Sequence, residues 1–322
     1  MVNELENLFI HKDLIYTIYE ESSFSKAAQK LYVAQPSLSL IVKKLEQQIG
    51  IPIFDRTTKP IKLTQAGQEY IAAVEQIRHI ENSFENYIAA QASLEAGSLG
   101  IGSNQLLSSL VLPRYVTRFS QSYPKIKLTL QAASSTTLEN AITSGQLDLI
   151  IGNHILPSDV FVQKQICEEH LLLAVSADFP ENASLKEYQI PYHDILNRKP
   201  FYRIRKTVPL SHFGKIPFLL MSRDNETRKL TNDIFRELGF TPQILLELDR
   251  MVTLYAYVEE GLGASIVTDT LVRNIHGTDQ NKICYYPLPT PWSQRSIYVS
   301  YKRKRHYSDA MEKFIDSLGT LE

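Results

Sequence analysis

The sequence has little cysteine and no long hydrophobic run. Its two cysteines, Cys167 and Cys284, provide neither a disulfide framework nor the spacing of metal ligands. The longest uninterrupted apolar run is Leu171–Val175, far short of the roughly 20 residues that a membrane helix needs. The N-terminal stretch MVNELENLFIHKDL carries acids among its apolar residues, unlike a signal peptide. We therefore expect a cytoplasmic protein without a membrane segment, whose thiols are either buried bystanders or a redox pair.

Motifs of several enzyme classes are missing too. The sequence has no G-x-S-x-G elbow, P-loop, HExxH or CxxC, and Gly100-Ile101-Gly102 lacks the third glycine and the downstream acid of a dinucleotide site. The histidines beyond residue 150 are scattered along the chain, which argues against a metal cluster. We expect no catalysis, no cofactor and no metal.

Charge is distributed unevenly along this nearly neutral chain. Residues 22–64 carry seven basic and two acidic side chains, a balance of +5, whereas residues 65–97 carry one basic and five acidic side chains, a balance of −4. A locally basic segment is what a nucleic-acid phosphate backbone attracts. The pattern indicates that any contact with DNA lies near the N-terminus.

The segment 24–67 predicts two short helices joined by a tight turn. Ser25 stands where an N-cap belongs, Gln35-Pro36 opens the second helix, and Gly50 ends it. Glutamine and serine at the exposed start of such a helix can read base edges, and lysine can meet phosphate or guanine. The candidate DNA contacts of the two helices are Ser25, Lys26, Gln35, Pro36, Ser37, Ser39 and Lys43.

The following stretch, Ile51–Thr64, predicts a small β wing. Apolar and polar residues alternate around a Thr-Lys-Pro turn, and Arg56, Lys59 and Lys62 are placed to touch the backbone or a minor groove. Each piece alone is weakly specific, since two-helix turns occur in many folds and surface lysines usually form a solvated face. The order of all the pieces together is much more specific.

These residues resemble the winged helix-turn-helix of LysR-type transcriptional regulators. The similar motifs are FSKAAQKL, VAQPSLS, KKLE, IGIPIFDR and LTQAG, and the match runs essentially without gaps from about Leu5 to Gly67. The sequence departs from the family at Ala34, where a polar N-cap is frequent, and at Leu40, where arginine is frequent. The resemblance implies sequence-specific binding to double-stranded DNA, whereas the departure at Leu40 argues against transferring any operator sequence from relatives.

A long helix is predicted to follow. There is no proline from Thr64 to Glu95, and Tyr70, Val74, Ile77, Phe84 and Ile88 recur at steps of three and four. A helix of about 30 residues spans roughly 45 Å. Its apolar stripe must pack either on its own chain or against a second subunit, and we favour the second subunit. The resemblance agrees, since this family dimerises through a linker helix and often forms tetramers.

Beyond Gly97, strands alternate with helices, which predicts mostly parallel sheets covered on both faces. The strand-like runs are Leu99–Gly102, Ile126–Leu130, Leu147–Gly152, Leu171–Ser176, Pro217–Ser222, Ile244–Leu248, Ala264–Thr268 and Ile297–Tyr301. The helical stretches are Leu106–Gln121, Thr137–Ser144, Thr227–Leu238, Met251–Glu260 and Tyr307–Leu318. The resemblance implies two lobes of periplasmic-binding-protein type, with the chain leaving the first near Gln163–Cys167 and returning near Ser265–Thr268.

The fold class is therefore α/β with an all-α, winged-helix N-terminal domain, a long linker helix and a two-lobed Rossmann-like effector-binding domain. The expected boundaries are 1–64 for the DNA-binding domain, 65–97 for the linker and dimerisation helix, and 98–322 for the effector domain. Lobe I takes about 98–165 and 268–322, and lobe II about 166–267.

Polar residues follow four of the strands, where ligands of such folds bind. Hydroxyls and amides beside free helix N–H groups suit a small anionic or polar metabolite, although each residue can equally be a helix cap. By comparison with the family, Ser135 falls at a ligand-contacting position, and Leu106 replaces a frequent polar contact. The effector-binding candidates are Ser103, Asn104, Leu106, Ser135, Thr136, Ser222, Thr227, Arg228 and Thr268, with Arg205 and Arg223 as further partners for a carboxylate.

Our hypothesis is a ligand-responsive transcription factor. A metabolite bound between the lobes would shift the paired DNA-binding domains and thereby their contact with DNA or RNA polymerase. Two alternatives remain open: a metabolite-binding protein whose N-terminal helices serve assembly, and an enzyme on the same α/β scaffold.

Overall fold

A computed structural model describes residues 8–91, 97–197, 206–277, 279, 281–288, 293–303 and 307–319. The chain forms two compact units: Met1–Ala92 with Thr143–Gln146, and Ser93–Ile142 with Leu147–Glu322. No helix among the described residues is long and apolar enough to cross a membrane.

The first unit holds a helical bundle, a hairpin and a long helix. Its elements are α1 (Lys12–Glu21), α2 (Phe24–Lys30), α3 (Gln35–Ile49), β1 (Phe54–Asp55), β2 (Lys62–Leu63) and α4 (Gln65–Gln91). Buried Ile15, Ile18, Leu38 and Val42 form its core together with Val74 of α4. The predicted helix-turn-helix, hairpin and long helix are all present.

The start of α2 differs from the prediction. Ser23, not Ser25, is the N-cap: its extended backbone precedes the helix and its Oγ accepts from Lys26 N at 3.4 Å. The helix begins at Phe24, which is buried, and Ser25 is left exposed in the first turn. Thr64 caps α4 as the sequence predicts, because its Oγ1 accepts from Gly67 N at 3.0 Å.

Gly67 explains why this motif ends in glycine. A Cβ at this position would lie 2.1 Å from the carbonyl oxygen of Ile53. Only glycine therefore lets the first turn of α4 pack directly against the chain that enters the hairpin.

The second unit carries a mixed sheet of nine strands within the described residues. Its strands are β3 (Gly97–Ser103), β4 (Ile126–Ala132), β5 (Leu149–Gly152), β6 (Phe161–Ser176), β7 (Pro217–Met221), β8 (Gln243–Leu248), β9 (Ala264–Thr268), β10 (Ile283–Pro287) and β11 (Gln294–Lys302). Its helices are α5 (Gln105–Leu110), α6 (Leu112–Ser122), α7 (Ser135–Ser144), α8 (Tyr192–Leu196), α9 (Glu226–Glu237), α10 (Met251–Glu259), α11 (Asp269–Asn274) and α12 (Asp309–Leu318), with 3₁₀ turns at Pro180–Tyr188 and Leu210–Phe213.

The long strand β6 divides this sheet into two lobes. Its first part, Phe161–His170, pairs with β11, which also pairs with β5. Its second part, from Leu171 onwards, pairs with β9 and β10. Helices cover both faces of each half. Separate buried clusters lie on the two faces of lobe I and on the two faces of lobe II.

The return crossing lies later in the sequence than predicted. Strand β9 and strand β10 both pair with the lobe II part of β6, and the chain re-enters lobe I only with β11. The prediction missed β10 altogether, because Ile283–Pro287 is a short run without a helix before it. It also missed the first ten residues of β6, where charged side chains interrupt the apolar pattern.

The predicted helix Leu106–Gln121 is two helices that meet at Val111. Pro113 has no N–H and therefore fits the first turn of a helix rather than its interior, so a new helix starts beside it.

The glycine at position 102 allows close packing in β3, since a Cβ there would lie 2.5 Å from Leu147 Cδ1. This packing accounts for the glycine at position 102 without a dinucleotide.

Candidate DNA-binding surface and effector site

The start of α3 presents a polar, exposed surface. Gln35, Pro36 and Ser37 are exposed, and Ser39 is partly exposed one turn further on. Gln35 Nε2 donates to Ser39 Oγ at 2.9 Å, so the two candidate base-reading side chains are held together in the free protein. Ala34 caps this helix without a side-chain hydrogen bond, which leaves the first N–H groups of α3 accessible to an anion.

The turn before α3 supplies a residue that the sequence reasoning passed over. Tyr32 is 97% exposed and has a φ of 54°, in the left-handed region that non-glycine residues seldom adopt. Leu40, the position where the family often has arginine, is 53% exposed on the surface of α3. The signal in the sequence was a large aromatic residue, Tyr32, in the turn between two predicted helices.

The basic candidates fall into two groups. Lys26, Lys43, Lys59 and Lys62 are exposed and form no ion pair with the residues that the structure describes. Arg56 instead pairs with Glu46 of α3, with 3.0 Å between Arg56 Nη2 and Glu46 Oε2. About half of the Arg56 side chain stays exposed, so its outer side still faces solvent.

The hairpin is short and its turn is stabilised locally. Asp55 Oδ1 accepts from Thr57 Oγ1 at 2.6 Å and from Thr57 N at 2.9 Å, and these bonds lower the pKa of the Asp55 carboxyl. Lys62 is opposite Asp55 in the strand register. The hairpin therefore carries Lys59 in its loop and Lys62 in strand β2.

The long helix α4 is buried in its first part and exposes apolar residues further along. Tyr70, Ile71 and Val74 are buried in the core of the first unit. Further on, Ile80, Phe84 and Ile88 are 66%, 64% and 50% exposed. These three residues recur every four positions and form an uncovered apolar stripe.

In the second unit, the strand registers bring the carboxyl ends of both lobes to one place. Strands β3, β4 and β5 run in the direction of β6, towards lobe II. Strands β7, β8 and β9 run in the opposite direction, towards lobe I. For example, Thr268 at the end of β9 pairs with Leu171, the first lobe II residue of β6. The candidates that follow these strands therefore converge on the lobe junction.

Three of these candidates have structural partners. Ser103 is fully buried and its Oγ donates to the Ile151 carbonyl at 2.9 Å. Asn104 caps α5 through Leu107 N, and Thr268, also fully buried, caps α11 through Leu271 N. The alternative reading of helix caps is correct for Asn104 and Thr268.

Three other hydroxyls stay free. Ser134, not Ser135, caps α7, because Thr137 N donates to its Oγ at 3.3 Å. Ser135, Thr136 and Ser222 form no side-chain hydrogen bond with the described residues and are partly or fully exposed. They are the predicted hydroxyls that remain available to a ligand.

The arginine candidates differ from expectation. Arg228 is 5% exposed and donates to the Met221 carbonyl at 2.6 Å, Asn232 Oδ1 at 3.0 Å and Glu247 Oε1 at 2.9 Å. Three of its five N–H groups therefore donate within lobe II, which holds the guanidinium in that lobe. The Arg223 side chain is 83% exposed, and Arg205 lies outside the described residues.

Leu106 faces the other lobe. It packs with Leu110 against the lobe II cluster that contains Leu271 and Val272 of α11. Leu106, which replaces a polar contact frequent in the family, therefore has packing partners within the chain.

A polar group at the junction was not predicted. Arg295 Nε donates to Glu169 Oε2 at 2.6 Å, and Arg295 Nη2 donates to Thr227 Oγ1 of lobe II at 3.3 Å. Asn153 Nδ2 is 3.4 Å from the same Glu169 oxygen. We call Asn153, Glu169, Thr227 and Arg295 the junction cluster. The signal in the sequence was the charged run Glu168-Glu169-His170 directly before an apolar strand.

A second buried acid lies beside it. Asp269 Oδ1 accepts from His170 N at 2.9 Å, Oδ2 lies 3.4 Å from His170 Nδ1, and Arg273 also pairs with Oδ2. Burial acts to raise the pKa of the Asp269 carboxyl, but the His170 hydrogen bonds and the Arg273 charge outweigh it and leave this pKa lowered. The carboxylate is thus kept charged inside the protein.

The two cysteines cannot pair. Cys167 is opposite Ile297 in the lobe I half of the sheet, and Cys284 is opposite Val175, eight residues further along β6. At roughly 3.3 Å per residue their Cα atoms are far beyond disulfide range. The described residues contain no group of three or more His, Cys, Asp or Glu that could hold a metal.

Comparison with known families agrees with this geometry. Residues 13–68 match the model described as bacterial regulatory helix-turn-helix protein, lysR family, and residues 92–321 match the LysR substrate binding domain. The chain belongs to the LysR family. It is a ligand-responsive, DNA-binding transcriptional regulator, as predicted.

The similar proteins are described as transcriptional regulators, and the similarity covers most of their length. The uncharacterized HTH-type transcriptional regulator YybE of Bacillus subtilis is 26% identical over 298 residues, covering 92% of this chain and 93% of that protein. A probable RuBisCO transcriptional regulator of Cyanidioschyzon merolae is 30% identical over 261 residues, covering 79% of each.

Solved structures share the fold. Full-length OxyR from Pseudomonas aeruginosa superposes with a TM-score of 0.66 at 22% identity, covering 94% of each chain. Full-length CbnR in complex with its target DNA gives a TM-score of 0.65 at 18% identity, covering 94% of this chain and 96% of that one. The predicted fold class is confirmed.

Proposed function

We propose that α3 reads DNA in the major groove and that the hairpin touches the adjacent backbone or minor groove. The base-reading residues are Gln35 and Ser39, and Lys43 meets phosphate or guanine. The observation that carries this proposal is the hydrogen bond from exposed Gln35 to partly exposed Ser39, at a helix start without a side-chain cap. The supporting contacts come from Ser25, Lys26, Pro36, Ser37, Arg56, Lys59 and Lys62, with Tyr32 added for its exposure.

The effector, in this proposal, binds at the lobe junction. Free hydroxyls on lobe I, at Ser135 and Thr136, and on lobe II, at Ser222, support a small polar or anionic metabolite that touches both lobes. Ser103, Asn104, Leu106, Thr227, Arg228 and Thr268 shape and support the site rather than supplying free donors. A ligand with contacts to both lobes binds one lobe arrangement better than another, which is what shifts a conformational equilibrium.

Assembly is part of the same proposal. The apolar stripe of α4 is covered by α4 of a second copy, which gives a dimer with two recognition helices for two half-sites, and two dimers can form a tetramer. The DNA-binding domain is taken as 1–64 and the linker as 65–97. The effector domain is 98–322, now with lobe I re-entered at β11. We further propose that the protein is cytoplasmic, is not an enzyme, uses no cofactor, and contacts RNA polymerase at its promoters.

Binding to DNA from the protein's own upstream region tests the regulator hypothesis. We expect selective, salt-sensitive binding, with an affinity for this DNA at least 10³-fold above that for unrelated duplex. Equal affinity for both duplexes would favour the alternative in which the N-terminal helices serve assembly alone. Turnover of a bound metabolite would favour the enzyme alternative.

A substitution at the junction tests the effector site. Ser135→Tyr fills the space beside the start of α7, so the change in transcription caused by adding candidate metabolites to cells should disappear while DNA binding without them stays. Ser122→Tyr is the matched control, because Ser122 is exposed at the end of α6, before the amino end of β4. An unchanged response in Ser135→Tyr would remove this residue from the site.

A further inference from the structure

One carboxylate joins the recognition helix to the hairpin. Glu46, in the second half of α3, accepts from the backbone N–H groups of Ile53 and Phe54 with Oε1, at 2.9 and 3.2 Å. Its Oε2 accepts from Arg56 Nη2 at 3.0 Å. The Glu46 side chain is 14% exposed, so these bonds are largely shielded from water. Three donors of the hairpin segment thus end on one side chain of α3.

Arg56 is held from a second side as well. Its guanidinium carbon lies 5.2 Å from the centre of the Phe24 ring, and that ring packs edge-on against Phe54 at 5.7 Å. Phe24 is the first residue of α2, so the guanidinium touches α2, α3 and the hairpin at once. We call Phe24, Glu46, Phe54 and Arg56 the wing clamp.

The wing clamp changes the charge that the hairpin offers to DNA. A carboxylate 3.0 Å from a guanidinium offsets most of its attraction for a phosphate. Lys59 and Lys62 of the same hairpin have no ion pair among the described residues. The salt dependence of binding counts the phosphates that cations neutralise, so Arg56 should contribute less to it than either lysine.

We propose that Glu46 is a positioning residue of DNA recognition, which sets the angle of the hairpin against α3 and withholds Arg56 from the phosphate backbone. This inference rests on the proposed DNA contacts of α3 and of Lys59 and Lys62 in the hairpin, and it replaces the supporting contact proposed above for Arg56. The angle matters because α3 lies in a groove while the hairpin must reach the neighbouring backbone of the same half-site. Glu46 itself touches no base and no phosphate.

The experiment uses the full chain, a duplex enriched by the wild-type protein from a random-sequence pool, and a shuffled duplex of equal composition. Binding is measured over a series of salt concentrations for wild type, Glu46→Gln, Glu46→Ala, Arg56→Gln, Lys62→Gln and the double variant E46Q/R56Q. Far-UV circular dichroism checks that each variant is folded. If the wild type shows no preference for any enriched duplex, the DNA-binding proposal itself fails, and the inference with it.

Glu46→Gln keeps an oxygen for the two backbone N–H groups but removes the ion pair. We expect Arg56 to become an additional phosphate contact, so the plot of log K against log salt steepens by about 0.9. The double variant should return to the wild-type slope, since the freed cation is gone. Arg56→Gln alone should change the slope less than Lys62→Gln does.

Glu46→Ala removes the acceptor of both N–H groups as well. We expect the preference for the enriched duplex to fall about tenfold, and hydroxyl-radical protection beside the major-groove contact to be lost. An unchanged slope in Glu46→Gln would overturn the inference. So would a steeper slope that persists in the double variant, because the gain would then come from losing an acid near DNA. Equal weakening on both duplexes at constant slope would mean that Glu46 only stabilises the fold.

Discussion

Arg295 faces Glu169 across the register of β11 and β6, with 2.6 Å between Arg295 Nε and Glu169 Oε2. Glu169 is 1% exposed, so its carboxylate depends on Arg295 and Asn153 in place of water. The two strands that carry the pair are the connections between the lobes. The ion pair therefore fixes the junction at which the effector is proposed to bind.

Replacing Arg295 should destabilise the fold strongly. Arg295→Met leaves a buried carboxylate without its cation, and we expect the free energy of unfolding to fall by about 3 kcal/mol. Denaturant titration followed by far-UV circular dichroism measures this change in the free energy of unfolding. Arg223→Met is the control, because its side chain is 83% exposed and 3.9 Å from Glu247, and should change stability by less than about 0.5 kcal/mol. Adding Glu169→Gln should recover part of the loss.

Acid should weaken the protein partly through Asp269. Its pKa in the fold is lowered below the ordinary value of 3.8, held there by His170 and Arg273 against the effect of burial. A lowered pKa contributes stability that is complete above the unfolded-state value and is lost as pH falls through the folded value. We expect the melting temperature of wild type to drop as pH falls below about 4, and that of Asp269→Asn to start lower and drop less over the same range. Parallel curves for the two proteins would contradict the assignment.

Base reading and phosphate contact should separate in mutants of α3. Gln35→Ala should lower discrimination between the enriched and shuffled duplexes by about 1–3 kcal/mol while nonspecific binding changes little. Lys43→Ala should weaken both and reduce the salt slope by about 0.9. Gln47→Ala, exposed near the far end of α3, is the matched control and should do neither. Equal losses on both duplexes in Gln35→Ala would assign that residue to the backbone.

The stripe on α4 should control self-association. Phe84→Glu places a charge among Ile80 and Ile88, and sedimentation velocity should show a shift from dimer towards monomer at micromolar protein. Gln68→Glu introduces the same charge on the opposite face of α4 and should leave the dimer intact. A dimer that survives Phe84→Glu would have to be formed by another surface.

Tyr32 should be replaceable with a gain in stability. Its φ of 54° costs an L-residue about 1–2 kcal/mol, and at 97% exposure it contributes almost no packing. Tyr32→Asn should raise the free energy of unfolding by about 1 kcal/mol, because asparagine tolerates this conformation. Tyr32→Phe keeps the strain and should leave stability unchanged. If both variants also lose affinity for DNA, the tyrosine hydroxyl contributes to binding.

The sequence was sufficient for elements whose signals are local. Gly50, Thr64 and the Gln35-Pro36 start mark helix ends through the chemistry of one or two residues, and these were predicted correctly. The cap of α2 was placed two residues late, because both Ser23 and Ser25 have the right side chain. Phe24 decides between them, because its side chain is buried in the core and its backbone forms the first residue of α2.

Non-local pairing was the part that single residues could not reveal. Strand β10 and the first half of β6 become strands because partners distant in sequence supply their hydrogen bonds. The same holds for the candidate site. The residues near Arg228 in the sequence do not indicate that it donates to Met221 and Glu247. Those near Arg295 do not indicate its ion pair with Glu169. The free hydroxyls of Ser135 and Ser222 could be proposed because strand ends mark such sites in advance.

The order in which the ribosome releases the elements of this fold has a consequence of its own. Strand β11 lies between β5 and β6, yet it leaves the ribosome only after all of lobe II. The helices of the first unit, by contrast, emerge complete and early, and domains fold as units from the N-terminal side during synthesis. A growing chain therefore carries a finished DNA-reading unit before its metabolite sensor can close, so full control by the metabolite begins only after β11 has been synthesised.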